Sequence, residues 1–286
     1  MISVIICSVN PELSEEIIKN IGNTIGIPHE ILVFDNRQAS LKIAEVYNRQ
    51  AQLAKYSYLV FVHEDIAFHS PGWGAHVIES LNLADVGMVG ICGGKYYPAV
   101  PCSWIDIPHE FRRAGMLSRQ DGELVTYDSR DNVQRFLSET KTLDGLFLAM
   151  KKTTWQQFRF NTYQELDFHF YDIDLSLRVG QKLRLVVDHR ILPEHFSTGK
   201  FDKQWLKDAF AFYKLRCNPS PLYHIAGRRE PALDDFAVKR MMERTLECRS
   251  SYYLLKLFKA KPLLFLKNTI FLLKLLFEKN GNKIQV

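Results

Sequence analysis

The chain has 286 residues, of which 47% are hydrophobic and 24% charged, with a net charge of +5. That length and mixture suit one large or two small globular domains, and exclude collagen-like, low-complexity and wholly disordered chains. The charge is unevenly placed: residues 252–286 hold seven Lys and one acid, Glu278, so this tail is +6 and the rest of the chain −1. Nucleic-acid binders more often spread positive charge across a folded face, so no nucleic-acid partner is expected. Five scattered Cys (Cys7, Cys92, Cys102, Cys217, Cys248) form no CxxC pair. They read as reduced thiols in a cytoplasmic protein, without a disulfide framework or structural zinc.

Ile2–Cys7 (ISVIIC) is a continuous apolar run, the pattern of a strand buried on both faces, and not the basic-led start of a signal peptide. Residues 12–25 follow with apolar positions at helical spacing behind Pro11. Glu30–Phe34 is a second strand, ending at Asp35–Asn36. Residues 40–55 read as a helix with Leu41, Ala44, Val46, Ala51 and Leu53 towards the sheet. Tyr58–Val62 is a third buried strand running into His63–Glu64–Asp65. This alternation predicts a βαβαβ unit with parallel strands, whose ligands sit at the strands' carboxyl ends. Those ends are Cys7–Ser8, Asp35–Asn36 and His63–Asp65.

Val86–Ile91 is a further strand before Gly93–Gly94, and residues 95–135, with three Pro, read as a substrate-facing loop region. Asp144–Met150 is a strand, Asp172–Val179 an acid-led helix and Leu183–Val187 a strand leading to His195. The chain lacks GxxxxGK[ST], GxGxxG and GxSxG, which argues against P-loop enzymes, ordinary dinucleotide enzymes and α/β-hydrolases.

The opening SVII strand, ILVFDN, YLVFVHEDIAF and YDIDLSLRVGQKLRLVV, in this order over about residues 2–200, resemble the family 2 glycosyltransferases, in a bacterial branch whose third strand ends in His-x-Asp. The resemblance implies a mostly parallel α/β GT-A fold over residues 1–225, followed by a helical extension over 226–286. It also implies a nucleotide-sugar donor, a divalent metal (Mn²⁺ or Mg²⁺) and an inverting transfer.

Such chemistry needs a base for the acceptor proton and a carboxylate-held metal to offset charge on the departing diphosphate. By resemblance, Asp65 takes the metal position. His63 stands where the family has its first Asp, and either joins the metal or contacts ribose or phosphate. His195, in the loop after the last strand, completes the metal shell or touches the diphosphate. Asp172 matches the base, with Tyr171 replacing the usual Glu, and capping its own helix is the competing use. Asp174 reads as structural. Cys7, Ser8, Asp35 and Asn36 match the base and ribose positions. Asn36 replaces a second Asp; an amide both donates and accepts, so it tolerates uracil and leaves thymine or another base open, with a UDP-sugar the favoured donor. Asp144 is a candidate contact to an acceptor hydroxyl. Trp73, Trp104 and Trp155 are of a type that stacks on sugar faces, but core or surface packing is the expected use of each.

The run LLFLKNTIFLLKLLF after Pro262 is shorter than the ~20 apolar residues that span a bilayer and is interrupted by Lys. Lys267, Lys274 and Glu278 fall on one helical stripe, predicting a basic amphipathic helix lying on an anionic membrane surface. Packing on the domain or on a second copy of the chain is the competing reading. The resulting expectation is a metal-dependent inverting glycosyltransferase acting on a glycan or lipid-linked acceptor in bacterial surface polysaccharide synthesis, on the inner face of the membrane. Its rival is an inactive glycosyltransferase-like binding or assembly subunit.

Overall fold

A computed structural model describes residues 1–120, 123–132, 134–197, 199–216 and 230–281. The expected boundary at residue 225, Cys217, and the side chains from Glu278 onward lie outside the described residues.

The first half alternates strands and helices: β1 (Ile2–Ser8), α1 (Pro11–Thr24), β2 (His29–Asp35), α2 (Ile43–Leu53) and β3 (Tyr58–Val62). Then come β4 (Ile66–Phe68), α3 (Trp73–Leu81), β5 (Val86–Gly90) and β6 (Cys92–Gly94). A long hairpin of β7 (Arg112–Gln120) and β8 (Glu123–Asp128) precedes β9 (Leu137–Thr140), β10 (Thr142–Leu143) and β11 (Phe147–Lys151). The body continues through α4 (Lys152–Phe158), α5 (Tyr171–Val179), β12 (Arg184–Asp188), β13 (Pro193–His195) and α6 (Lys203–Arg216). The extension contributes α7 (Pro231–Glu247), α8 (Ser251–Ala260), α9 (Pro262–Lys267) and α10 (Thr269–Gly281).

The main sheet has the order β2-β1-β3-β11-β5-β12-β9. β1 pairs in parallel with both β2 and β3, as the βαβαβ pattern requires. β11 is wedged antiparallel between β3 and β5. A smaller sheet, β10-β6-β7-β13-β4 with β8 against β7, covers one end. Ile2, Val4 and Ile6 point to a core under α1 and α3, while Ile5 points to the opposite core with Tyr47, Trp155 and Leu175. Each such side chain removed from water contributes about 1.5–3 kcal/mol, so β1 is held from both faces. Asn10 caps α1, its Oδ1 accepting from the Glu12 and Leu13 amides, and Pro11 opens the helix at a position that needs no donor.

Four expectations are corrected. α2 buries Ile43 and Tyr47, whereas Leu53 is exposed and Leu41 precedes the helix. Residues 95–135 are not only loop, since they build the β7–β8 hairpin. The predicted strand over 144–150 begins at Phe147, leaving Asp144 in the turn after β10. The tail is not one continuous helix: α9 ends at Lys267, and buried Asn268 donates to Asp235 Oδ1 at 2.9 Å before α10 begins. The extension shares a core with the body, as Val238, Met241, Leu257 and Leu272 pack with Ile173, Leu177, Leu206 and Phe212.

Candidate active site

Three neighbouring parallel strands bring the predicted residues to one edge of the sheet. Ser8 ends β1 in register with Asp35 at the end of β2, and His63–Glu64–Asp65 leaves the end of β3. Glu64, to which the sequence assigned no role, fastens these ends together. Its carboxylate accepts from Ser8 Oγ at 2.6 Å and from the Val9 and Asn10 amides at 3.1 Å. The motif pointed to Glu64 only as the middle of a polar triplet, because backbone amides leave no sequence signature.

Asn36 is almost fully buried. Its Nδ2 donates to the Leu41 carbonyl and its Oδ1 accepts the Leu41 amide, both at 2.8 Å. It therefore closes the 36–41 loop. Asp35 is exposed, and a two-pronged pair with Arg37 holds its carboxyl down at about 2. Cys7 is half-buried, and burial with the charge of Glu64 pushes its thiol up to about 11, so it is a neutral contact.

The remaining predicted residues, His63, Asp65, Asp144, Asp172 and His195, line one cleft of about 430 Å³. His195 Nε2 lies 3.2 Å from Asp65 Oδ2, and Ser197 Oγ lies 3.1 Å from that nitrogen. Burial favours a protonated Asp65, but His195, His63 and Ser197 outweigh it and hold the carboxyl at about 2. His63 Nε2 is 2.9 Å from the Tyr171 hydroxyl, and burial lowers its pKa, leaving a neutral imidazole. His63 is thus turned towards Tyr171, the first residue of α5.

α5 starts after Phe170, which takes a left-handed conformation (φ 70°), so Asp172 is the second residue of the helix and not its cap. Asp172 Oδ2 accepts the Gly145 amide at 2.8 Å. Burial, reinforced by the charge of Asp144, raises its carboxyl from 3.8 to about 7. A carboxylate poised there is matched to proton abstraction near neutral pH. Gly145 must be glycine, since a Cβ would lie 2.2 Å from the Tyr171 hydroxyl oxygen. Asp144 accepts from the Trp104 indole at 2.6 Å and from the Leu146 amide at 2.9 Å. Trp73 and Trp155 are core residues, as expected, whereas Trp104 lines the cleft. Asp174 is buried in ion pairs with Arg178 and Arg216, a structural role.

The Asp65–His195 pair fits a divalent metal. Its 3.2 Å separation is close to the ~3 Å edge of an octahedron with ~2.1 Å bonds. The hard carboxylate suits Mn²⁺ or Mg²⁺, and of the two the imidazole beside it suits Mn²⁺ better. Among the described residues no three His, Cys, Asp or Glu close around an ion, so such an ion would take further oxygens from its ligand.

A family described as glycosyltransferase-like matches residues 3–213. No curated protein is similar enough in sequence to count as a match. Among solved structures, the chain is similar to the mannosyltransferase PcManGT from Pyrobaculum calidifontis, in complex with GDP-Man and Mn²⁺. The identity is 13%, 92% of this chain and 79% of that chain are covered, and the TM-score is 0.51. This likeness shows the GT-A fold. GalNAc-T7, with UDP, GalNAc and Mn²⁺, is similar at 11% identity over 88% of this chain and 58% of its own, with a TM-score of 0.49.

Proposed function

The chain belongs to the glycosyltransferase-like family, and we propose that it moves a sugar, with inversion, from a nucleotide diphosphate donor to a glycan or lipid-linked acceptor in surface polysaccharide assembly. The observation that carries this reading is Asp172, a carboxylate held near pKa 7 in the same cleft as Asp65 and His195. The acceptor hydroxyl gives its proton to Asp172 while its oxygen bonds to the anomeric carbon. The bond from that carbon to the diphosphate breaks, and its electron pair leaves on the diphosphate. One displacement from the opposite face inverts the centre, so one base suffices. The Gly145 amide fixes Asp172 Oδ2, which aims the carboxylate. Asp65 and His195 would hold Mn²⁺ or Mg²⁺, which when bound offsets the charge on the departing diphosphate. A uridine nucleotide is the proposed donor, seated at the Cys7–Ser8 and Asp35–Asn36 strand ends.

The test is turnover of UDP-, GDP- and dTDP-sugars with Mn²⁺, in the wild type and in Asp172→Asn. The variant should lose roughly 10²–10⁴ in turnover, the usual worth of a general base, with donor affinity nearly unchanged. Near-normal turnover would show that Asp172 is not the base.

We also assign the extension to an anionic membrane surface on the cytoplasmic side. Leu263, Ile270 and Phe277 are 82%, 72% and 74% exposed, levels at which apolar side chains gain nothing from the fold. From Cys248 to Phe277 the chain has one Arg, five Lys and no acid. A two-fold contact between copies would set these cations against each other, whereas anionic lipid complements them at about 1 kcal/mol each. No helix among the described residues is long and apolar enough to cross a membrane, which matches a helix lying in the interface. Full-length protein should bind anionic liposomes and release with rising salt. Equal binding to neutral liposomes would remove the electrostatic assignment.

A further inference from the structure

The cleft has an aromatic wall that the proton-transfer chemistry does not use. Trp104, Phe201 and Trp205 all line it, alongside the carboxylates of Asp144 and Asp172. Trp104 is partly buried, and its indole N–H is committed to Asp144 Oδ2 at 2.6 Å. Its ring is thereby fixed beside the turn whose next residue, Gly145, binds the base. Phe201 and Trp205 meet edge to face, with centroids 5.0 Å apart at 79°.

Both parts of this wall are tied to one side chain from the extension, beyond the span matched by the family. The Arg244 guanidinium is buried, and donates from Nε and Nη2 to Asp106 Oδ1 at 3.0 and 2.6 Å. The other Asp106 oxygen accepts the Ser103 amide at 2.8 Å, and the Asp106 amide returns to the Ser103 carbonyl at 3.1 Å. That closed turn carries Trp104. The same guanidinium lies 3.2 Å from the Phe201 ring centroid and 5.0 Å from that of Trp205. A planar, permanently charged group is suited to pairing with a carboxylate at its edge while stacking on a ring, which a lysine cannot do.

Sites for small ligands combine such apolar aromatic surface with a few fixed polar groups. Aromatic rings match the C–H face of a pyranose, and the carboxylates match its hydroxyls. We propose that Trp104 and Phe201, backed by the buried Trp205, form an acceptor subsite that stacks on a pyranose ring, and that Arg244 is the positioning residue that holds them in place. This rests on the glycosyl-transfer reading above. It adds that the acceptor is recognised by the sugar ring next to the reacting hydroxyl, and that the extension belongs to the site.

The experiment uses full-length protein, octyl glycosides of glucose, galactose and mannose as acceptor probes, and acrylamide quenching of tryptophan fluorescence. The variants are Trp104→Phe, Arg244→Lys and the double change Arg244→Met with Asp106→Leu, which replaces the buried pair by apolar groups so that the chain can fold. The double variant should raise acrylamide quenching at least twofold, and the rise should be smaller when Trp104→Phe is added, the remainder coming from Trp205, which the same guanidinium covers. For the best glycoside, KM should rise tenfold or more in Trp104→Phe and in the double variant, with kcat falling less. Arg244→Lys should lie between, and UDP affinity by calorimetry should stay within twofold of wild type. Unchanged quenching in the double variant overturns the positioning role. A wild type that hydrolyses a nucleotide sugar, but is accelerated by none of the glycosides, overturns the pyranose subsite. A wild type that hydrolyses no nucleotide sugar overturns the transfer reading, while quenching still judges the role of Arg244.

Discussion

Replacing Asp144 by Asn removes a negative charge beside Asp172 and leaves the site otherwise close in shape. Asp172 stands at about 7 against an ordinary 3.8, a displacement of about 3 units or roughly 4 kcal/mol between its two protonation states. Burial is the larger cause and Asp144 the second, so less than half is available to the substitution. Loss of a like charge favours the ionised form, and the Asp172 pKa should fall by about one unit, worth roughly 1.4 kcal/mol. A general base works only when ionised. Wild-type kcat/KM should therefore rise with pH and level off above about 7, whereas the Asp144→Asn limb should sit roughly one unit lower. The assay is the pH profile of kcat/KM from 5 to 9 at constant ionic strength, and the position of the limb is read, not its height. The height can also drop, because Asn cannot accept from both Trp104 and Leu146 as the carboxylate does. A limb that stays in place in Asp144→Asn, or persists in Asp172→Asn, would refute the assignment of the base.

Three further outcomes are expected. Asp65→Ala should abolish Mn²⁺-dependent UDP binding in calorimetry while the chain still folds, with a modest fall in Tm from the lost His195 contact. Glu64→Ala leaves Ser8 Oγ and two amides without their acceptor, and at about 1 kcal/mol per lost bond should lower Tm by several degrees in a thermal melt. Gly145→Ala places a Cβ 2.2 Å from the Tyr171 hydroxyl and should cost both stability and turnover, with Tyr171→Phe in the same chain recovering part of the stability.

The strands of the main sheet were legible because parallel strands buried on both faces must be continuously apolar, and ISVIIC and YLVFV have few other uses. The strand ends then marked Asp65, and a helix led by acids marked Asp172. The phase of α2 was not legible. Apolar residues at 41, 43, 44, 46, 51 and 53 support two helical faces, and only the tertiary contacts of Tyr47 with Phe61 and Tyr171 select one. The β7–β8 hairpin escaped notice because β8 is largely exposed and three Pro precede the hairpin, so no alternating pattern marked it. The break at Asn268 was hidden in an apolar run, since its cause is a partner, Asp235, thirty-three residues upstream. Trp104 was read as packing because a lone Trp gives no sign of facing a cleft.

Glu64 has a thermodynamic consequence. One carboxylate, lodged between His63 and Asp65 in the chain, is bonded to three donors of the β1–α1 connection. The strand end that bears Asp65 and the loop at Ser8 therefore cannot move independently. Any ligand that binds Asp65 better when this arrangement is ordered must raise affinity at the Ser8 loop by the same factor that occupation of the loop raises it at Asp65. Loss of Glu64 should uncouple the two positions, so that a ligand reaching both would no longer gain at one from order at the other.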